Sequence, residues 1–208
     1  MVVTRLNDHM PLKNTDGWSV YRITNSILES ATYVAKNEIL GLCWMVDCGD
    51  EKPVLELTDG LNLKYILLTH AHFDHIYGLN DILEAHRETH VVTNDIGKEM
   101  LLDERKNMSK YHDAPFVIAH PERVSVIENG SFVDLAEGLM MKAVFTPGHN
   151  PSCITWVSNN IIFTGDAYIP DLKTVSNLPG GNKHLATESV KRILEFAKGK
   201  IIYPGHKI

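Results

Sequence analysis

The sequence predicts an α/β fold in which two mixed β-sheets pack face to face, with helices on their outer faces. The prediction rests on two series of short strand-like segments, each accompanied by helical patterns, and on a composition that is ordinary for a globular core, with 44% hydrophobic residues. The 208 residues show no internal repeat and no Gly/Pro-rich linker. We therefore expect a single domain over residues 1–208.

The first third of the chain consists mainly of strand-like segments. Residues 20–23, 31–36 and 40–47 are rich in β-branched and aromatic side chains and are bounded by Asn or Gly, which favours strands over helices. Residues 53–62 have the spacing of a short amphipathic helix. Residues 65–69 form a short apolar run, which is typical of a buried strand.

The middle of the chain alternates between helix and strand. Residues 75–86 place apolar side chains at helical spacing, and residues 95–102 predict a second helix with Asp95 as its N-cap. A short β-branched strand is predicted between them, at residues 90–92. Residues 103–121 are polar and have no clear period, so the sequence leaves open whether they form a lid over a site.

A second series of strands fills most of the last third. The dipeptides Asn129-Gly130 and Asn159-Asn160 are typical of hairpin turns between such strands. Residues 187–198 then predict an amphipathic helix, and residues 200–203 a closing strand. The strands of this series are predicted at residues 124–127, 132–133, 140–145, 154–157 and 161–163.

Charge and cysteine content exclude several classes of function. The formal net charge is −6 and no basic block is longer than two residues, so we expect no nucleic-acid partner. The chain contains neither a signal-like apolar stretch at its start nor a run long enough to span a membrane. Its three cysteines lie in apolar stretches and predict reduced thiols, which favours a cytoplasmic location. We expect a small-molecule substrate and no membrane partner. The oligomeric state is left open.

The most informative motif is T-H-A-H-F-D-H at residues 69–75, directly after a predicted buried strand. His70, His72, Asp74 and His75 are all residue types that bind zinc or iron. Extended backbone would point alternate side chains to one side, and His75 could turn toward the same space. Such a cluster costs desolvation unless a cation occupies it, so the sequence predicts a metalloenzyme.

Three later segments repeat one arrangement, in which an apolar strand ends, a turn bends the chain and a ligand-type residue follows. Thr146-Pro147-Gly148 precedes His149, Thr164-Gly165 precedes Asp166, and Pro204-Gly205 precedes His206. Because loops at strand ends gather into the active sites of layered folds, we expect these three side chains to complete the metal site.

These motifs resemble those of the metallo-β-lactamase superfamily, and within it the small single-domain hydrolases similar to glyoxalase II. H-x-H-x-D-H, T-P-G-H, T-G-D and P-G-H occur in the family's order, after the strand-end acid Asp47. The resemblance implies a four-layer αββα sandwich. It also implies one metal held by His70, His72 and His149, and a second metal held by Asp74, His75 and His206. Asp166 would bridge the two metals, and Asp47 would orient one of the ligands through a hydrogen bond.

The resemblance implies a dinuclear metal-dependent hydrolase. Two adjacent divalent ions, with Zn²⁺ expected first and Fe or Mn as alternatives, would lower the pKa of a bridging water and supply a hydroxide nucleophile. The bond cleaved would be that of a small thioester, lactone or related ester. Asp74 and Asp166 are the residues expected to manage protons.

Other activities remain open at this stage. Branches of the same family include phosphodiesterases or nucleases and mononuclear-iron persulfide dioxygenases, and a metal-binding regulator with little turnover is a further alternative. Full-length glyoxalase II has a C-terminal helical region that contacts glutathione. We expect no such region here after His206, and therefore do not expect S-lactoylglutathione as the substrate.

Overall fold

The structure is a computed structural model and describes residues 2–6, 17–136 and 138–206. Short 3₁₀ turns at Phe73–His75, Ser109–Tyr111 and Pro121–Arg123 separate some of the regular elements. The helices are α1 (Glu51–Thr58), α2 (Leu79–Ala85), α3 (Asp95–Leu101) and α4 (Lys183–Phe196). The strands are β1 (Val2–Arg5), β2 (Trp18–Thr24), β3 (Ala31–Asn37), β4 (Leu42–Val46), β5 (Asn62–Leu67), β6 (His90–Thr93), β7 (Val124–Val126), β8 (Phe132–Asp134), β9 (Met140–Phe145), β10 (Ile154–Val157), β11 (Ile161–Gly165) and β12 (Ile201–Pro204).

The strands form two mixed sheets, as the sequence predicts. The first has the order β1-β2-β3-β4-β5-β6-β7, antiparallel from β1 to β4 and parallel from β4 to β7. The second has the order β12-β11-β10-β9-β8 and is antiparallel except for the β11–β12 pair. The change from antiparallel to parallel pairing coincides with the appearance of α1, because a parallel neighbour needs a crossover connection.

Large aromatic side chains fill the space between the two sheets. Trp44 and Tyr33 from the first sheet meet Trp156 and Phe163 from the second in one buried cluster. The buried indole of Trp156 donates its Nε1 hydrogen to the carbonyl of Leu68 at 2.9 Å, so the sheets are joined by a hydrogen bond as well as by packing.

Helices cover the outer face of each sheet, which gives the four layers of the predicted sandwich. Apolar residues of α1 and α2 pack on the first sheet together with Phe116 and Ile118, and α4 packs on the second through Ile193. Cys43, Cys48 and Cys153 lie in these outer layers as free, buried thiols, in agreement with the sequence prediction. Among the described residues, no helix has the length and apolar character of a membrane span.

Three predictions about the helices are wrong in detail. Residues 75–86 do not form one helix, because a 3₁₀ turn ends at His75 and α2 starts only at Leu79. The N-cap of α3 is Asn94 and not Asp95, since the Asn94 side chain accepts a hydrogen bond from the Gly97 amide. Helix α4 starts at Lys183, four residues before the predicted 187, because Asn182 caps it.

Strand ends from both sheets meet at one edge of the sandwich. Segments that follow β4, β5, β9, β11 and β12 all leave the sheets there. Two backbone hydrogen bonds join segments at this edge. The Ile154 amide donates to the Thr69 carbonyl at 2.7 Å, and the Ala31 amide donates to the Gly205 carbonyl at 2.7 Å. The fold therefore places the residues after these strands beside one another.

Arg123 holds the end of α2 and provides a test of the packing of this layer. Its guanidinium donates to the carbonyls of Leu83, His86 and Thr89 at 2.7–3.0 Å. Arg123→Ala should lower the free energy of unfolding by about 2 kcal/mol, because charge-assisted bonds to partly buried carbonyls are lost. Urea denaturation would measure the change, with Arg87→Ala as control, since Arg87 is exposed near the same helix end. Equal stability of the two variants would contradict this account.

Candidate metal centre

The edge described above brings together all seven side chains that the sequence predicts as metal ligands. They form three overlapping groups in which one ligand atom per residue lies within 4.8 Å of the others. His70, His72 and His149 form the first group, which we call the trihistidine group. Asp74, His75 and His206 form the second, which we call the Asp-His-His group. The third group joins His70, His75 and Asp166.

Local backbone geometry explains how residues 69–75 can serve both groups. The chain leaves β5 in extended conformation, and His72 still has extended backbone with φ −76° and ψ 150°. The 3₁₀ turn that follows reverses this course, so that Asp74 and His75 point to a neighbouring position instead of alternating away. The turn, which the sequence did not predict, is what separates the two groups.

The trihistidine group is buried, and its imidazole nitrogens face one another. Nδ1 of His72 lies 3.0 Å from Nε2 of His149, and Nε2 of His70 is buried without a hydrogen-bond partner. Burial, together with the neighbouring imidazoles, lowers the pKa of His70 well below its usual value and that of His72 to about 4. Three buried imidazoles whose ring nitrogens converge in this way fit a cation with N ligands.

The outer ring nitrogens of this group are held by the protein. Nδ1 of His149 donates to the carbonyl of Val175 at 2.8 Å. The Asn150 amide lies 2.7 Å from Nε2 of His72, and Ser152 in turn donates to Asn150 from its backbone and its hydroxyl. Such contacts fix the orientation of a ligand ring.

The Asp-His-His group has the spacing of a metal coordination sphere. Nε2 of His75 lies 3.3 Å from Oδ2 of Asp74 and 3.4 Å from Nε2 of His206, and that His206 atom lies 3.4 Å from Asp74 Oδ2. Ligands bound tetrahedrally at about 2.0–2.1 Å are separated from each other by about 3.4 Å. The three side chains thus fit a zinc-sized ion without rearrangement.

Asp166 lies between the two groups. Its Oδ2 is 3.6 Å from Nε2 of His149 and 3.2 Å from Nε2 of His206, and its Oδ1 is 3.5 Å from Nε2 of His75. Oδ1 is buried without a hydrogen-bond partner. A carboxylate oxygen that is removed from water and left unpaired fits a bound cation, because otherwise its desolvation would be uncompensated.

Asp47 occupies the position that its predicted role in orienting a ligand requires. It lies at the end of β4 with a positive φ of 56°, which turns its buried side chain toward Thr69. The Thr69 amide and hydroxyl donate to its two oxygens at 2.7 and 2.6 Å, and Nδ1 of His75 lies 2.9 Å from Oδ2. The carboxylate therefore fixes the ring of His75 from behind.

Opposite charges in the Asp-His-His group support one another. Burial opposes the charged form of each residue, but the neighbouring His75 and His206 lower the pKa of Asp74, and the same two residues lower that of Asp166. Hydrogen bonds to Asp166 and Asp74 outweigh burial and raise the pKa of His206 to about 9. Asp74, Asp166 and Asp47 likewise raise the pKa of His75 well above its usual value.

Two glycines allow the close approach that builds this site. A Cβ on Gly165, which has a φ of 50°, would lie 2.4 Å from the hydroxyl of Thr69. A Cβ on Gly205 would lie 2.1 Å from Oδ1 of Asp166. The glycines in T-G-D and P-G-H therefore leave space for the Thr69 side chain and for the Asp166 carboxylate, and do not serve only to turn the chain.

Segment 103–121 packs beside the ligand loop. The amide of Phe73, between two predicted ligands, donates to the carbonyl of Asn107 at 2.9 Å. Residues 112–117 then border a cavity of about 630 Å³ together with Phe73 and Tyr77. This segment has no readable sequence pattern, because its structure depends on buried polar contacts of Asn107 and Ser109 that do not repeat at a helical or strand period.

Several residues that hold the ligands were not predicted. They are Asn150, the carbonyls of Leu28 and Val175, and Ser30. Two of them bind through the backbone, for which side-chain identity gives no signal. Asn150 directly follows a ligand in the sequence, and that adjacency was the one available hint.

Comparisons with known proteins agree with this geometry. A family model described as the metallo-beta-lactamase superfamily matches residues 34–206. The hydroxyacylglutathione hydrolase of Tolumonas auensis is 26% identical over 165 residues, which cover 78% of this chain and 56% of that protein. The chain thus spans little more than half the length of that relative.

Solved structures share the fold at low sequence identity. The B3 metallo-beta-lactamase BLEG-1 superimposes with a TM-score of 0.82 at 23% identity, over 91% of this chain and 92% of that one. The protein TTHA1623, described in a di-iron-bound form, superimposes with a TM-score of 0.74 at 23% identity, over 90% and 92% of the two chains. These likenesses confirm the four-layer sandwich.

The two groups should differ in proton release when zinc binds. His75 and His206 are protonated near neutral pH in the metal-free chain and must lose their protons to bind, whereas His70 and His72 are already neutral. Binding to the Asp-His-His group should therefore tighten as pH rises toward 9, while binding to the trihistidine group changes little. Calorimetric zinc titration in buffers of different ionisation enthalpy would measure this. Equal proton release for both equivalents would contradict the assignment.

Proposed function

Because the chain belongs to the metallo-β-lactamase superfamily, we propose that it is a dinuclear metal-dependent hydrolase that cleaves a small thioester, lactone or related ester. One observation supports this proposal above the others. The Asp166 carboxylate lies within 3.2–3.6 Å of ligand atoms from both the trihistidine and the Asp-His-His groups. A single carboxylate that reaches two complete groups of three is the arrangement that two adjacent ions need.

The proposed chemistry divides between the ions and the protein. Two divalent ions would supply a hydroxide nucleophile at neutral pH and polarise the carbonyl of the substrate. Asp74 and Asp166 keep the site ionised, because their pKa values are lowered despite burial. Asp74 then stands beside His75 and His206 with a carboxylate that can accept a proton from the attacking water and return it to the leaving group.

Exclusion of water from the ligands favours this reaction. The side chains of His70, His75 and His149 are almost fully buried, and those of Asp74 and Asp166 are only 11% and 13% exposed. Charge interactions are stronger in such a site than in water, so developing negative charge on the substrate is stabilised more effectively. No Ser, Cys or Lys nucleophile is required, and the three free cysteines are buried away from solvent.

The substrate class and the metal are inferred from relatives and from donor chemistry. The Tolumonas relative is a hydroxyacylglutathione hydrolase, which supports ester or thioester cleavage as the reaction type for this chain. Zn²⁺ suits the His-rich set, and iron is the alternative favoured by the di-iron form of TTHA1623. A small-molecule substrate without nucleic-acid or membrane partners agrees with the net charge of −6.

Metal analysis and a substrate panel test the proposal directly. Protein purified without chelators should contain close to two metal ions per chain. Thioester, lactone, β-lactam and bis-p-nitrophenyl phosphate substrates should then distinguish the reaction classes, with turnover highest for thioesters or lactones. One iron per chain would overturn the dinuclear proposal, and turnover of the phosphodiester alone would overturn the ester proposal.

Asp74→Ala should abolish turnover while the fold persists. The change removes both a ligand of the Asp-His-His group and the proposed proton acceptor, so kcat should fall by about 10³-fold. Asp95→Ala is a matched control, since Asp95 is exposed at the start of α3. Steady-state kinetics and circular dichroism of both variants are the measurements. Wild-type kcat in the Asp74 variant would refute the mechanism.

A further inference from the structure

We infer that Asp50 is a positioning residue for the Asp-His-His group and that it acts through the turn between β2 and β3. The inference rests on the proposed function, because it concerns affinity for one of two metal ions. It adds a residue that is not a ligand and touches no ligand side chain. A chain of contacts runs from the Asp50 carboxylate to His206 and Asp74.

The β2–β3 turn, residues 25–30, contacts two ligands of the Asp-His-His group. The carbonyl of Leu28 accepts a hydrogen bond from Nδ1 of His206 at 2.9 Å. The hydroxyl of Ser30 donates to the backbone carbonyl of Asp74 at 2.6 Å. Ser30 also forms an isolated antiparallel bridge with His206, so the turn holds the His206 backbone as well as its ring.

This turn is not in a relaxed conformation. Leu28 and Glu29 both have positive φ values, 54° and 55°, although neither is glycine. Each such residue costs roughly 1 kcal/mol or more and persists only where its surroundings determine the conformation. Something must therefore hold the turn in the shape that points the Leu28 carbonyl at His206.

Asp50 supplies that restraint. Its Oδ2 accepts from the Ser26 amide at 2.8 Å, and its Oδ1 accepts from the Ser26 hydroxyl at 2.6 Å. The Asp50 amide donates to the side chain of Asn25 at 3.1 Å, and Asn25 in turn donates to the Ser30 hydroxyl at 3.0 Å. The start and the end of the turn are thus both tied to Asp50.

The same carboxylate also reaches the segment that follows the ligand motif. The Tyr77 hydroxyl donates to Oδ1 of Asp50 at 2.6 Å. Tyr77 lies two residues after the ligand His75, so Asp50 joins the β2–β3 turn to the chain segment that carries Asp74 and His75. Removal of the carboxylate would free both segments that it connects.

The position of Asp50 in the chain indicates that this use of its side chain is specific. Asp50 is the N-cap residue of α1, where an Asp ordinarily accepts a hydrogen bond from the first turn of the helix. Here its side chain makes no capping bond. Both oxygens are directed to Ser26 and Tyr77 instead, which leaves the helix start without its usual stabilisation.

The restraint acts on one group and not on the other. The trihistidine group is oriented by Asn150 and by the carbonyl of Val175, neither of which belongs to the β2–β3 turn. Among the described residues, the contacts of the β2–β3 turn with predicted ligands are those with His206 and Asp74. Loss of Asp50 should therefore weaken one metal equivalent and spare the other.

Zinc titration of chelator-stripped protein tests the inference. In Asp50→Ala, one of the two zinc equivalents should bind about tenfold more weakly while the other changes less than about twofold, since outer contacts of metal ligands contribute tenfold or more to affinity. Competition with a chromophoric chelator would give both dissociation constants. Tyr77→Phe removes one of the three hydrogen bonds to the Asp50 carboxylate and should give a smaller change in the affinity of the same zinc equivalent.

Two further variants identify the affected equivalent and control for the charge. Adding Asp50→Ala to His206→Ala should not weaken zinc binding further, because the group it positions is already incomplete, whereas adding it to His149→Ala should. Asp59→Asn is the control, because the Asp59 carboxylate is exposed at the other end of α1. This substitution should change neither zinc dissociation constant. Thermal unfolding of each variant confirms that it is folded at the titration temperature.

The outcomes separate this inference from the proposed function. A wild-type chain that binds only one zinc ion would overturn both. Two zinc ions in the wild type, with either unchanged or equally weakened binding in Asp50→Ala and Tyr77→Phe, would overturn the positioning role and leave the dinuclear proposal standing. Selective weakening of the equivalent that His206→Ala removes would support it.

Discussion

The buried Asp47 carboxylate connects the two strands on which the rest of the site depends. It accepts hydrogen bonds from Thr69 at the end of β5 and faces the ring of His75 beyond, while its own backbone ends β4. An isolated charge at this depth would cost several kcal/mol, and removal of one partner from a buried pair is typically worth about 3–5 kcal/mol. Burial raises the pKa of Asp47, and His75 and the bonds from Thr69 oppose that shift. The strand ends are therefore held in register by a buried carboxyl group that depends on these partners.

The other buried carboxylates of the site also need a compensating positive charge. The Asp-His-His group and the trihistidine group differ in how they provide it. In the Asp-His-His group, protonated imidazoles balance the carboxylates of Asp47, Asp74 and Asp166 when no metal is bound. In the trihistidine group, burial keeps His70 and His72 neutral, so nothing substitutes for a cation. The Asp-His-His group must release protons when a metal ion binds, whereas His70 and His72 of the trihistidine group can bind without releasing one.

The sequence predicted the fold layers and the seven converging side chains because both follow from short-range rules. Alternation along a strand and turns after strand ends are sufficient to bring His149, Asp166 and His206 toward residues 70–75. The predictions that failed concern positions where neighbouring residues compete for the same structural role. Asn94 and not Asp95 caps α3, and a 3₁₀ turn replaces the first turn of the predicted helix at residue 75. The positive-φ turn at Leu28 and Glu29 had no signal, since neither residue type favours it.

Support of the ligands by backbone carbonyls has a consequence for specificity. His206 is held by the carbonyl of Leu28 and His149 by that of Val175, while the side chains of those two residues are 68% and 49% exposed. Because the supporting atom is present whatever the side chain, residues 28 and 175 can change without loss of the ligand contact, provided that the loop keeps its shape. The edge that carries the predicted ligands can thus keep its geometry while the exposed side chains beside it vary. Restraints such as the bonds from Asp50 to Ser26, which fix loop shape from outside the site, are what make that separation possible.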